Sequence, residues 1–370
     1  DCLLSRGLGD VYKRQELNIN MMTKIRATIK DIAKELKIST STVSRALADR
    51  WDVNSETKKA VLDLAKRWNY KPNPMSKRLQ EQHSKLIGVV VPEFINSFFA
   101  EVVIGIESIL QPEGFNILLM QSNESHTCEL NNLNILEGQM VDGIIVSVCH
   151  ETENSKKYAS LQANNYPIVF FNRICTNIVA PHVIIDDYKW AYKAVEHLIK
   201  QGARRIAHLA GPDSLIVSKS RKRGYYDALK DYNMPTDEKL IIPCGLKMEE
   251  GIMATYKLLE MEDKPDGIFA FNDPIAIGAM KTISKCGYKI PIDISIAGFS
   301  QSQMAMIIEP NLTSVEQPTF EMGKVAAELM LEQIRKRNEE TISSRTVVLD
   351  AIFNIRDSSL KKLKKQQMLK

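Results

Sequence analysis

The sequence predicts a small all-α head joined to a much larger α/β body, and three observations carry that expectation. Residues 28–68 contain three short stretches of helical periodicity. From Leu86 onward, apolar runs alternate with amphipathic stretches of helical period. Charge is also divided unevenly along the chain. Residues 22–85 carry fifteen Lys or Arg against seven Asp or Glu, a net of +8, whereas residues 1–21 are neutral and residues 86–370 sum to −4. The modest total of +4 therefore hides a basic head on an acidic body, an asymmetry that points to nucleic acid at one end.

Taken in order, residues 1–21 begin at Asp1 and lack apolar periodicity. They are expected to be a non-native or disordered leader, with Met21 or Met22 as the natural start. The head, residues 22–69, follows. Ile29, Ile32, Ala33 and Leu36 form one apolar helix face, with Thr28 as its N-cap. After a break at Lys37-Ile38-Ser39, a second helix capped by Ser39 buries Val43, Ala46 and Leu47. A third, capped by Asn54, buries Val61, Leu64, Ala65 and Trp68. Two short helices across a three-residue turn, closed by a third, make a helix-turn-helix module.

Residues 70–85 read as a linker punctuated by Pro72 and Pro74, yet Asn73-Pro74 is also a helix-start signature ahead of Met75–Glu81. A helix of that length is marginal alone in water, so it is expected to form only when something stabilises it. The body, residues 86–360, shows strand-like runs at 86–91, 116–121, 143–148, 168–171, 183–185, 206–210, 267–271 and 294–298. Helical stretches between most of them predict parallel sheets covered on both faces, and the length favours two similar lobes. The tail, 361–370, carries Lys361, Lys362, Lys364, Lys365 and Lys370 and reads as a solvated end.

Composition removes several function classes. The six cysteines are scattered without metal or redox spacing, which suits a reducing cytosol, and the six histidines show no metal-ligand spacing. There is no run long and apolar enough for a membrane span and no apolar signal core, so neither membrane nor export is expected. Without a Gly-x-Gly-x-x-Gly turn or a Walker loop, nucleotide chemistry has no cradle, and the chain is read as a non-enzyme needing no cofactor or metal.

The run Thr28-Ile-Lys-Asp-Ile-Ala33, followed by Ile38-Ser-Thr-Ser-Thr-Val-Ser-Arg-Ala-Leu47, resembles the DNA-binding signature of the lactose-repressor (LacI/GalR) family of bacterial regulators. The resemblance extends to about residue 356 through Asp186-Asp187, the segment His197–Pro212, Phe271-Asn272-Asp273 and Ser295–Phe299. It implies a body of the periplasmic-binding-protein type, two parallel-sheet lobes joined by three crossing strands, with a small ligand in the cleft at the strand ends. It further implies a cytoplasmic homodimer that binds a near-palindromic double-stranded operator and is controlled by an effector, a sugar or sugar derivative. A corepressor-type response to a nucleobase-like ligand is the alternative, and a solute-binding protein is the alternative from another class.

On the DNA side, Thr40, Ser41 and Arg45 sit where a recognition helix meets base edges, and Ser39, Thr42 and Ser44 suit phosphates. Arg45 could instead serve a phosphate or a surface ion pair. Leu79 matches the leucine that wedges into the minor groove in this family. By matching segments, the ligand cleft would be lined by Asn96, Phe98, Asn172, Arg221, Asn272, Asp273 and Ser300. Phe98 would stack on a sugar face, and Arg221, Asn172 and Asp273 would hold hydroxyls. Phe98 also reads as core, and Asp273 as a cap for the helix at 275–283. Two departures from the family pattern stand out: Lys37 occupies a turn position where glycine is common, and Ser300 replaces a common acidic residue.

Overall fold

The computed structural model describes residues 27–71, 84–95, 97–149, 154–300, 302–337 and 344–361. The expected leader, the conditional helix with Leu79, Asn96, and the tail from 362 lie outside the described residues. The chain divides into two compact units, residues 1–83 and 84–370.

The first unit holds α1 (Ile29–Glu35), α2 (Thr40–Leu47) and α3 (Ser55–Arg67). Each start is fixed by a side chain that satisfies a free helix-end N–H. Thr28 and Asp31 form a reciprocal capping box on α1, Ser39 Oγ accepts from Thr42 N at 3.0 Å on α2, and Asn54 Oδ1 accepts from Glu56 N at 2.8 Å on α3. Ile32, Ala33, Val43, Ala46, Val61, Leu64 and Ala65 make one small core. Leu47 and Trp68, expected inside, are only half-buried at its rim, because both fall in the last turn or just beyond the end of their helices.

The second unit contains two six-stranded sheets. The first lobe is built from β1 (Leu86–Val91), α4 (Ser97–Leu110), β2 (Asn116–Gln121), α5 (His126–Gly138), β3 (Gly143–Val146), α6 (Ser155–Ala163), β4 (Ile168–Phe171) and β5 (His182–Ile185). The second lobe follows with α7 (Asp187–Lys200), β6 (Ile206–Ala210), α8 (Ile216–Asp231), β7 (Ile241–Pro243), α9 (Met248–Leu259), β8 (Gly267–Ala270), α10 (Asp273–Lys285), β9 (Ser295–Ser300), α11 (Gln303–Ile307) and β10 (Thr313–Glu316). Helix α12 (Thr319–Arg335) returns to pack on α4, and β11 (Thr346–Leu349) and β12 (Ile352–Asn354) each add an edge strand.

Strand order is β11-β5-β4-β3-β1-β2 in one sheet and β12-β10-β9-β8-β6-β7 in the other, parallel throughout except for the antiparallel β10–β12 pair. The chain therefore passes between lobes after β5, after β10 and between β11 and β12, the three crossings that the family resemblance implies. Central strands such as β1 are buried along their whole length, which is why they read as unbroken apolar runs. Strands β7, β11 and β12 escaped the sequence reading because they are short, partly exposed edges, and β10 because Thr313, Ser314 and Glu316 interrupt its apolar pattern.

Helices α4 and α12 cross almost backbone to backbone. A Cβ at Gly105 would collide with the Phe320 carbonyl, and one at Gly323 with the Val102 carbonyl. Glycine is required there by proximity, not by backbone torsion. This contact ties the returning helix to the first lobe.

Candidate functional site

In the first unit, the capped start of α2 presents its polar face to solvent. Val43 and Ala46 turn inward to the core, while Ser39, Thr40, Ser41 and Arg45 are exposed and Thr42 and Ser44 half-buried. The hydroxyls of Ser39 and Thr42 lie 2.8 Å apart. Arg45 reaches Asp52 at 3.3 Å, an exposed ion pair worth little in water, so its guanidinium can be redirected at small cost. The turn before α2 contains Lys37 at φ +52°, the left-handed region that favours glycine, with its N–H bonded to the Lys34 carbonyl at 3.3 Å.

In the second unit, polar side chains converge at the carboxyl ends of the parallel strands, the place where α/β sheets offer ligand sites. Arg221 on α8 donates through Nε and Nη2 to Asp187 Oδ1 at 2.8 and 2.7 Å and through Nη1 to the Phe271 carbonyl at 2.6 Å. Its plane is covered by the Phe299 ring at 3.6 Å and the Phe271 ring at 4.6 Å. Burial raises the Asp187 carboxyl and lowers the Arg221 guanidinium from their usual values, each opposing the other's shift. Arg221 also feels the charge of Arg173, which lowers its pKa further, and that of Asp273, which raises it. Arg173, just after β4, donates through Nη1 alone to both carboxylate oxygens of Glu124 at 2.7 and 2.9 Å.

Asp273 lies fully buried at the start of α10. Its carboxylate accepts from Ser302 N and from Ser314 Oγ, the latter at 2.6 Å, yet burial still pushes its pKa up to about 6. The cap of that helix is its neighbour Asn272, whose Oδ1 accepts from Ile275 N at 3.0 Å while Nδ2 donates to the Leu246 carbonyl at 2.9 Å. Both polar ends of Asn272 are therefore engaged inside the protein.

Among the other expected cleft residues, Phe98 is buried in α4, edge-on to Phe99 at 5.0 Å, and so serves the core of the first lobe. Asn172 sits half-buried at φ +56°, and Ser300 ends β9 at φ +104°, its Oγ accepting from Gln317 Nε2 at 2.9 Å. Non-glycine residues at positive φ at the ends of β4 and β9 are the kind of local strain that accumulates at ligand sites. The structure thus ties Arg221 to the Phe271 carbonyl two residues before Asp273, sets Asn172 and Ser300 at strand ends, and gives Phe98 and Asn272 contacts inside the fold.

Ser147, Arg173, Asp187 and Gln317 are not among the cleft residues expected from the sequence. Ser147 Oγ and Gln317 Oε1 are buried with no hydrogen-bond partner among the described residues. The signal for two of them was available: Ser147 and Arg173 are polar residues one or two places after an apolar strand, where a parallel sheet opens toward a ligand, whereas Gln317 follows β10, whose own polar residues hide the strand. Among the described residues no group of three or more His, Cys, Asp or Glu could hold a metal ion, and no helix is long and apolar enough to cross a membrane.

Comparison with known proteins fits both units. Residues 28–73 match the family described as bacterial regulatory proteins, lacI family, and residues 84–356 match the periplasmic binding proteins and sugar binding domain of the LacI family. The chain is 33% identical to catabolite control protein A of Priestia megaterium over 336 residues, covering 90% of this chain and all of that protein. It is 32% identical to the ribose operon repressor of Halalkalibacterium halodurans, covering 85% and 92% of the two chains. Among solved structures, the complex of the transcriptional regulator CelR with cellobiose superposes with a TM-score of 0.69 at 28% identity, covering 90% of this chain and 100% of the other.

Proposed function

Because this chain belongs to the LacI family of bacterial regulatory proteins, we propose that it is a sequence-specific transcriptional repressor whose grip on a DNA operator is set by a small ligand bound between the lobes of its body. The observation that carries this reading is the union in one chain of a capped, outward-facing α2 with a body whose buried polar groups converge at the strand ends.

On the DNA side, Thr40, Ser41 and Arg45 contact base edges in the major groove, with Arg45 donating twice to a guanine, while Ser39, Thr42 and Ser44 hold phosphates. One helix reads only a few base pairs, so two chains related by a two-fold axis would read a near-palindrome. Residues 74–81 would fold between the two heads on the operator and insert Leu79 into the minor groove. A ligand that binds one arrangement of the lobes more tightly than another would bias whether those segments meet, which is control by differential affinity.

For the ligand, a sugar or sugar derivative is favoured over a nucleobase. The CelR structure holds cellobiose, and a relative is named as a ribose operon repressor. Serine hydroxyls and the Gln317 amide oxygen are also suited to ligand hydroxyls. A mobility shift with the fragment upstream of the protein's own gene tests the DNA half: salt-sensitive retention supports it, and none defeats it. Thermal-shift screening of sugars, sugar acids and nucleobases tests the other half, since a ligand at 100 times its Kd stabilises by about 2.7 kcal/mol.

A further inference from the structure

We infer that Arg50 and Trp51, in the loop that follows α2, make a further DNA contact: the guanidinium takes a phosphate and the indole packs on the adjoining deoxyribose, at the rim of the groove that α2 enters. This rests on the DNA-binding reading above and adds to it a sequence-independent anchor outside the recognition helix.

The exposure of Trp51 is the starting observation. It is 94% exposed, more than any other large apolar residue described, whereas Trp68 is half-buried against the head core and Trp190 is buried. A lone exposed leucine needs no explanation. Tryptophan is on average a deeply buried residue, and an indole left wholly in water forgoes the burial of one of the largest apolar surfaces a side chain offers.

The loop that carries it is held on both sides. Asp49 stands at φ +57°, its N–H donating to the Ala46 carbonyl at 3.3 Å, and Arg50 N donates to the Arg45 carbonyl at 3.0 Å. Beyond the tryptophan, Asp52 reaches the Arg45 guanidinium at 3.3 Å and Val53 packs against the head core. Trp51 is thus displayed between two neighbours that both touch Arg45 of α2, so a partner that covers it has little backbone left to order.

Charge and position select the partner. The two acids of the loop are matched, Asp49 by Lys58 and Asp52 by Arg45, while Arg50 is exposed with no ion-pair partner among the described residues. When Arg45 turns to a base, Asp52 is released, and Arg50 keeps the loop from presenting net negative charge to the phosphates. An exposed guanidinium beside an exposed indole suits a surface on which anionic and apolar groups alternate, as phosphates and sugars do along a DNA strand, and the indole Nε1–H can also donate to a phosphate oxygen. Helix α2 has eight residues, a rise of about 12 Å, and a recognition helix meets base edges with its N-terminal half in a groove about 8.5 Å deep. The loop after its C-terminus therefore emerges at the level of the backbone.

The test uses the full-length chain in anisotropy titrations on two labelled duplexes, one from upstream of its own gene and one scrambled. Trp51→Ala is expected to weaken binding to both by about tenfold with the salt slope unchanged, because an apolar contact and no charge is removed. Trp51→Phe should recover most of that loss, and Arg50→Gln should flatten the salt slope by about one unit. Tm should be the same in all three variants, since neither side chain packs in the head. In a second arm, Trp68→Phe with Trp190→Phe leaves Trp51 as the sole tryptophan: acrylamide should quench it freely in the unbound chain and several-fold less at DNA saturation. Native affinity of Trp51→Ala for both duplexes would overturn the inference, and so would quenching that saturation leaves unchanged. A loss confined to the upstream duplex would also overturn it, by making Trp51 a base reader, as would a Trp51 already shielded without DNA, by giving it to the body or to a second copy. If the double replacement fails to fold, the affinity series alone decides. Absence of binding to either duplex by the native chain would defeat the DNA-binding reading itself, an outcome distinct from binding that leaves Trp51 exposed.

Discussion

Arg221 and Asp187 form an ion pair at 2.7–2.8 Å with both side chains almost entirely buried, joining α8 to the first residue of the helix that follows the first crossing between lobes. Burial works against each charge, so the pair persists because each partner compensates the other. Arg221→Met or Asp187→Leu alone is expected to lower the unfolding free energy by about 3–5 kcal/mol, and the double replacement by less than either single change. Urea denaturation of the three variants measures this, and simple additivity would contradict it.

Asp273 gives a dependence on pH with a defined sign. Its carboxyl is raised to about 6 in the folded chain against roughly 3.9 unfolded, so its stabilising contribution is complete below pH ~4 and is lost as pH rises through 6. Relative to Asp273→Asn, the native protein should lose on the order of 3 kcal/mol between pH 4 and 7. Denaturation series at several pH values would show it, and parallel curves for the two proteins would rule it out.

Lys37 stands at φ +52°, where a side chain is strained. Lys37→Gly is expected to stabilise the head by about 1 kcal/mol, read as slower amide exchange in α1 and α2. If Lys37 also neutralises a phosphate, the same change should flatten the salt dependence of DNA binding by about one unit of slope. Faster exchange would mean that the lysine is held there by something stronger than its strain.

Arg45 separates base reading from phosphate holding. Arg45→Ala should weaken operator binding by about 1–3 kcal/mol with a smaller effect on random DNA, and Arg45→Lys should not restore the difference, because a point charge cannot make the paired contact. Equal losses on both DNAs would reduce Arg45 to a phosphate contact. Leu79→Ala is expected to behave in the same selective way through the minor groove, and an equal loss on both DNAs would remove the wedge role.

The parts of this fold that were legible were those in which one residue type has one physical use. Thr28, Ser39 and Asn54 cap helices because their short oxygens reach a free N–H, and central strands such as Leu86–Val91 are apolar throughout because both faces are covered. What was not legible depends on tertiary partners. Nothing local distinguishes Asn272 as a cap from Asp273 as a buried acceptor, and their roles part only when Leu246, Ser302 and Ser314 arrive from elsewhere. Phe98 could stack on a ligand or fill a core, and it is Phe99, edge-on beside it and packed in turn against Phe171, that decides. The same limit hid the pairing of Arg221 with Asp187, which are 34 residues apart in sequence.

The central claim is that the basic head holds a specific DNA site under the control of the body. Fluorescence anisotropy of the full-length chain on a labelled fragment from upstream of its own gene tests it most directly, run across salt, against a scrambled fragment, and with and without a sugar that raises Tm. The account predicts tighter binding to the genomic fragment, log affinity falling with log salt at roughly −0.9 per phosphate neutralised, and a change in affinity when the sugar is added. Equal affinity for both fragments, or binding indifferent to salt and sugar alike, would contradict it.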